Sequence, residues 1–135
     1  MRALYSDEEV LLRDSITRQV EKLVPTGVSE LLQFDDTEIW RRLADGYLLG
    51  LGVPEGQGGA GTLVDATIVA IALAAVVAPV PYLGCAVLPG RLLAAAGASD
   101  DVIARVVGGE LRLAVGFDPT LTRIARRRWP SRTAR

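Results

Sequence analysis

The stretch Thr62–Tyr82 reads TLVDATIVAIALAAVVAPVPY, and its interpretation decides the fold. From Ala66 to Gly90 there is no charged residue. A membrane-spanning helix needs about 20 consecutive apolar residues to cross roughly 30 Å of hydrocarbon. The smooth apolar run stops short of that at Ala78, and Pro79, Pro81, Gly84 and Pro89 follow. The stretch is therefore read as a helix buried in a protein core, with no membrane span. Thr62 caps it, and Asp65 lies three residues on, where a carboxylate favours the positive end of a helix. A helix over 63–78 that is apolar nearly all round requires neighbours on most sides. Pro79-Val80-Pro81 then makes a stiff corner, because each proline also restricts the residue before it.

Working outward, the N-terminal side supplies those neighbours. Ser6 and Glu9 form a capping box, and Leu12, Ile16, Val20 and Leu23 recur at helical spacing up to the stop at Pro25 and Gly27. Residues 28–34 fit a short helix. Asp36 is expected to cap a helix over 37–45, whose apolar stripe is Ile39, Trp40 and Leu43 and whose stop is Gly46. Residues 47–53 read as extended and buried, and 54–61 as a glycine-rich loop. On the C-terminal side a helix over 82–96 is expected, bent near Pro89 and ended by Gly97. Another opens at Ser99 and stops at Gly108-Gly109. The alternation over 111–117 allows one short strand. The fold class is thus all-α, a helical bundle of about five to six helices joined by short connections. The bundle is assigned to residues 6–118, and residues 119–135 to a basic, disordered tail.

Composition narrows the chemistry. The 135 residues carry 15 basic and 16 acidic side chains, a balance that argues against a general nucleic-acid binder. Every charge after Asp118 is positive, from Arg123 to Arg135. With no histidine in the chain, Ser-His and Cys-His nucleophilic systems and most zinc sites are excluded. Asp35, Asp36 and Glu38 are explained as cap and first-turn charges rather than metal ligands. Cys85, the single cysteine, lies in an apolar stretch without a neighbouring base and reads as an inert thiol. Asp7, Glu8 and Glu9 stand where a secretory signal would need positive charge, so the expected location is cytoplasmic.

Gly56-x-Gly58-x-x-Gly61 matches the dinucleotide-binding fingerprint by letter. That motif works at a strand-to-helix junction inside a βαβ unit, with an acid about 20 residues beyond it. Here the acids that follow are Asp65 and then Asp100. The glycines are read as a tight loop that needs close backbone approach.

The run Trp40-Arg-Arg-Leu-Ala-Asp-Gly-Tyr-Leu-Leu-Gly-Leu-Gly-Val-Pro-Glu-Gly-Gln-Gly-Gly-Ala-Gly61, followed by the apolar helix and Ala78-Pro79-Val80-Pro81-Tyr82, resembles the acyl-CoA dehydrogenase family in its N-terminal domain. Residues 99–110 resemble the helix before that family's β-domain, and Leu111-Arg-Leu-Ala-Val-Gly-Phe117 its first strand. The resemblance implies a helical domain of an enzyme that oxidises the α,β bond of an acyl-CoA thioester. In that family FAD accepts the hydride and a glutamate removes the α-proton. The flavin is held mainly by the middle β-domain and the C-terminal helical domain, and the glutamate sits in the latter. The sequence follows the family to about Asp118, so no catalytic and no cofactor-binding residue carries over, and tight FAD binding by this chain alone is not expected. The family's N-terminal domain walls the acyl-chain pocket after the proline corner, which marks Tyr82, Cys85 and Ala86 as candidate wall residues. Three functions stand side by side. The chain is a truncated dehydrogenase remnant, inactive alone and frameshifted near Gly116; or a subunit completed by a separate flavin-bearing chain; or a helical interaction module. All three imply exposed apolar faces, hence self-association or a flavin-domain partner.

Overall fold

The structure, a computed structural model, describes residues 5–116. The strand allowed over 111–117 does not form within them. Residues 111–116 alternate between half-buried and exposed, as the sequence alternates, but lie in no ladder. A strand is made by its hydrogen-bonded neighbour, and among the described residues the one β-type pairing is a parallel bridge between Leu51 and Ala60. Phe117 and the tail over 119–135 lie outside the described residues.

Six α-helices carry the fold: α1 (Asp7–Glu21), α2 (Val28–Leu31), α3 (Thr37–Asp45), α4 (Leu63–Ala75), α5 (Leu88–Ala95) and α6 (Asp100–Val107). Both capping boxes form. The Ser6 hydroxyl accepts from the Glu9 amide at 3.2 Å, and Glu9 Oε2 accepts from the Ser6 amide at 2.6 Å. Thr62 and Asp65 do the same at the head of α4, at 3.2 and 2.7 Å. Each reciprocal pair satisfies two amides that a helix start leaves free.

α4 is the centre, and α1 is packed along it. Ala66, Val69 and Ala72 of α4 are fully buried. Small side chains there bring α1 close enough for Ile16 and Val20 to enter the same cluster as Ile39, Trp40 and Leu43 of α3. Each fully buried Ile, Leu or Val contributes about 1.5–3 kcal/mol relative to exposure. A second, smaller cluster of Val53, Ile103 and Val107 ties α6 to the loop after α3.

Three local expectations are corrected. Residues 49–53 are largely buried, but the stretch is extended no earlier than Leu51: Tyr47 is 73% exposed and left-handed, with φ 59°, and Leu48–Gly50 form a 3₁₀ turn. The turn brings Gly50 against Val107, so close that a methyl group at Gly50 would lie 2.8 Å from it. The central helix ends at Ala75 rather than Ala78. Val77 adopts φ 54°, and the Ala78 amide reaches back to the Leu73 carbonyl at 2.9 Å, a left-handed helix ending that glycine usually supplies. The helix is also less surrounded than its composition implies, since Leu63, Val64 and Ile71 are exposed.

After the proline corner the chain re-enters helix through a π turn, Leu83–Val87, continuous with α5. The Leu88 amide bonds to the Leu83 carbonyl, five residues back. Pro89 follows at once. Its ring would crowd the carbonyl four residues before it in a regular α-helix, and it has no amide to donate. The wider turn is the form the expected bend takes.

Candidate functional site

Tyr82 begins the helix after the corner and points inward. It is buried, and its hydroxyl donates to the Leu48 carbonyl at 2.9 Å. Burial, with a smaller contribution from the Asp65 carboxylate, pushes the phenol far above its ordinary range, so Tyr82 stays protonated. Ala86, one turn on, is fully buried in the same cluster. Cys85 is half-buried at the edge of that cluster. Burial raises its thiol pKa; Arg112 opposes and Asp36 adds to the shift. A protonated thiol is a poor nucleophile.

The three sequence-derived wall residues therefore share one helix and differ in direction. Tyr82 lines an open depression of about 250 Å³, with Leu73, Ala74, Val80, Leu83 and Gly84. Cys85 and Ala86 are not part of that lining. The outward edge of the same helix is carried by Leu83, Leu88 and Leu92, which are 54%, 36% and 41% exposed. Sequence spacing passes over this row because the π turn changes the phase within it. In a π turn the residue five ahead, not four, lies nearly above.

The glycine loop has a structural task. The Leu51–Ala60 bridge is flanked by hydrogen bonds from the Ala60 amide to the Gly50 carbonyl, 3.1 Å, and from the Gly59 amide to the Pro54 carbonyl, 3.2 Å. A methyl group at Gly59 would fall inside contact distance of the Val53 carbonyl. Gly59 is the most crowded member of the loop and lies outside the fingerprint positions, while Gly61, which is one of them, has φ 60° and would set a methyl group 2.6 Å from Leu51. Gly56 and Gly58 have open space around them.

The acids of the α3 region are placed as follows. Asp36 occupies the N-cap position of α3 but makes no side-chain cap bond there; the neighbouring Asp35 accepts from the Thr37 amide at 2.9 Å. Thr37 holds the Asp35 carboxyl below its ordinary pKa through that bond and its hydroxyl. Glu38 pairs with Arg41 at 2.8 Å and Arg42 at 2.9 Å, which lowers its pKa to about 2. Asp36 instead reaches Arg112, far along the chain, at 2.8 Å. The Arg112 guanidinium also stacks over Trp40, 4.1 Å from the ring centroid, and the Trp40 indole N–H donates to the Gly109 carbonyl at 3.1 Å. No local pattern announces these long-range contacts.

Among the described residues no group of three His, Cys, Asp or Glu side chains is placed to hold a metal ion. No polar or charged residue among them is buried. No described helix is long and apolar enough to cross a membrane. The arrangement offers shape and apolar surface rather than acid–base chemistry. The family model for the acyl-CoA dehydrogenase N-terminal domain matches residues 6–101. No curated protein and no solved structure compared with the chain gives a match.

Proposed function

Since the chain belongs to the acyl-CoA dehydrogenase family through that family's N-terminal domain, we propose that it supplies the helical wall of an acyl-CoA site and has no turnover alone. The observation that carries this reading is the family match, which falls on the helical part of the chain. The wall is assigned to the helix after the proline corner. Leu83, Leu88 and Leu92 face outward, Cys85 stands at the edge, and Tyr82 and Ala86 brace it from within. A saturated acyl chain asks for nothing more than such a surface, since its recognition is the burial of methylenes, about 0.8 kcal/mol each.

The family's cofactor, FAD, supplies the hydride acceptor. The described residues do not fit it. The glycine loop is packed backbone on backbone at Gly59, and the amides at the head of α4 are occupied by a capping box whose Asp65 carboxylate would repel a pyrophosphate. In the proposed assembly the flavin is held by the family's other domains. Localisation in the cytoplasm belongs to the same proposal.

The exposed leucines, Leu83, Leu88 and Leu92, on one helix favour a partner over a free monomer, since burying them against a partner removes apolar surface from water. The purified chain is assayed with octanoyl-CoA, FAD and an artificial electron acceptor, and its mass and dye binding are followed by sedimentation and fluorescence. The expected result is no turnover and no retained flavin, with self-association and binding of a hydrophobic dye. Turnover by the chain alone overturns the reading, and a monomer that binds no dye overturns its partner-seeking part.

A further inference from the structure

Helix α6 ends at Gly108, and the chain then turns through Gly109 and runs along α3. Four contacts hold it there. The Leu111 amide bonds the Arg105 carbonyl at 3.0 Å, and the Trp40 indole N–H bonds the Gly109 carbonyl. One guanidinium nitrogen of Arg112 lies 2.8 and 3.0 Å from the two oxygens of Asp36, while the same guanidinium covers the Trp40 ring. Gly109 has φ 78°, and a methyl group there would stand 2.9 Å from Ala44 and 3.2 Å from the Trp40 nitrogen. The approach is thus open only to glycine.

We propose that Trp40, Asp36 and Arg112 form a latch that holds residues 110–116 on α3 and fixes the direction in which the chain leaves the helical domain. The pair is unlike the other ion pairs. Those of Arg41 and Arg42 with Glu38 and Asp45 join residues three or four apart on one exposed helix face. Such pairs contribute little and constrain nothing beyond their own turn. The Asp36–Arg112 pair joins residues 76 apart, and the Asp36 side chain is only 19% exposed. The stack on an aromatic face adds an attraction that needs the planar guanidinium and that lysine does not reproduce. Residues 111–116 make no ladder of their own; the Leu111 amide bond to Arg105 and the Arg105–Glu110 pair at 3.7 Å tie the start of the segment to α6, and the latch ties it to α3. Asp36 and Arg112 are positioning residues. The inference is read from the helical domain alone and stands or falls independently of the acyl-CoA reading.

The test is hydrogen–deuterium exchange on the whole 135-residue chain, comparing wild type with Arg112→Ala and Asp36→Asn. The expected result is exchange in the peptide covering 110–116 that is slower than in an unstructured chain and rises about tenfold in both variants, while α1 and α4 keep their wild-type protection. Arg112→Lys should recover only part of the protection. Wild type in about 1 M salt, which screens the pair without any substitution, should move the same peptide in the same direction. The proposal is overturned if that peptide already exchanges at the unstructured rate in wild type, or if neither variant changes it. It is also overturned if α1 and α4 lose protection in step with it, because the pair is then a strut of the whole domain.

Discussion

Three glycines separate two costs that are usually measured together. Gly97 has φ 67° with open space where a side chain would go; Gly59 lacks a positive φ but faces the Val53 carbonyl; Gly109 has both φ 78° and close neighbours. Replacing Gly97 by Ala forces an L-residue into the left-handed region, about 1–2 kcal/mol, offset by about 0.4–1 kcal/mol from a stiffer unfolded chain. A net loss of roughly 0.5–1 kcal/mol is expected. Gly109→Ala carries the same backbone cost and in addition sets its methyl 2.9 Å from the Ala44 methyl and 3.1 Å from Leu49. Overpacking of that kind costs about 1–3 kcal/mol, so the total is about 2–4 kcal/mol. Gly59→Ala should be the most damaging, because the atom in the way is backbone and cannot swing aside. Urea melts followed by far-ultraviolet circular dichroism give the differences, read as midpoint shifts at constant slope. With a domain stability of about 5–15 kcal/mol, the first two variants should stay folded. The reasoning is refuted if Gly109→Ala is no worse than Gly97→Ala, since the crowding around Gly109 would then have no energetic weight.

Tyr82→Phe removes the hydrogen bond to Leu48 and leaves that carbonyl only the long contact from the Leu51 amide at 3.5 Å, for an expected loss of about 1 kcal/mol in the same melts. Because folding raises the Tyr82 pKa above 10.0, its stabilisation is complete below pH 10.0 and is lost as pH rises beyond it; the phenylalanine variant should show a flatter alkaline limb. Glu38 has the opposite sign: its pKa is lowered from 4.5 to about 2, so its contribution is present above 4.5 and disappears as pH falls toward 2. A carboxyl titration by NMR should give a Glu38 midpoint near 2, and a midpoint near 4.5 would show that the paired arginines do not hold it in solution. Thr62→Ala breaks the capping box of the central helix and should cost about 1 kcal/mol. Equal or smaller loss than in Ser6→Ala, at the head of α1, would count against the central place given to α4.

What the sequence made legible was local. Ser6 with Glu9 and Thr62 with Asp65 are three residues apart, and the contact is implied by the spacing itself. The family reading rests on a similarly continuous run. Asp36 shows where this stops. Its position before a helix made it a cap, but a residue 76 positions away took its carboxylate, and Asp35 took the amide. Tyr47–Val53 departs from its local reading in the same manner, since Gly50 of the 3₁₀ turn lies against Val107 of a distant helix, too close for a side chain. Alternation over 111–116 was read correctly as a pattern and produced no strand, for want of a neighbour among the described residues. The helix after the proline corner is legible in the sequence, but its outward face is not. A π turn adds one residue, and that slip decides that Leu88 and Leu92 look out while Val87 and Gly90 look in.

An interior built from aliphatic and aromatic groups alone, with Trp40 and Tyr82 as its sole sources of a side-chain dipole, has a consequence for how this domain tolerates change over generations. Exchanges among Ala, Val, Leu and Ile that conserve volume are cheap in such a core. Drift should therefore be fastest in the places usually thought immutable. The fixed points are the joints instead: Gly50, Gly59 and Gly109, where one chain segment leans on another, and the two threonine- and serine-headed helix starts. The identity of the domain is written in its joints, and its core supplies cohesion without address.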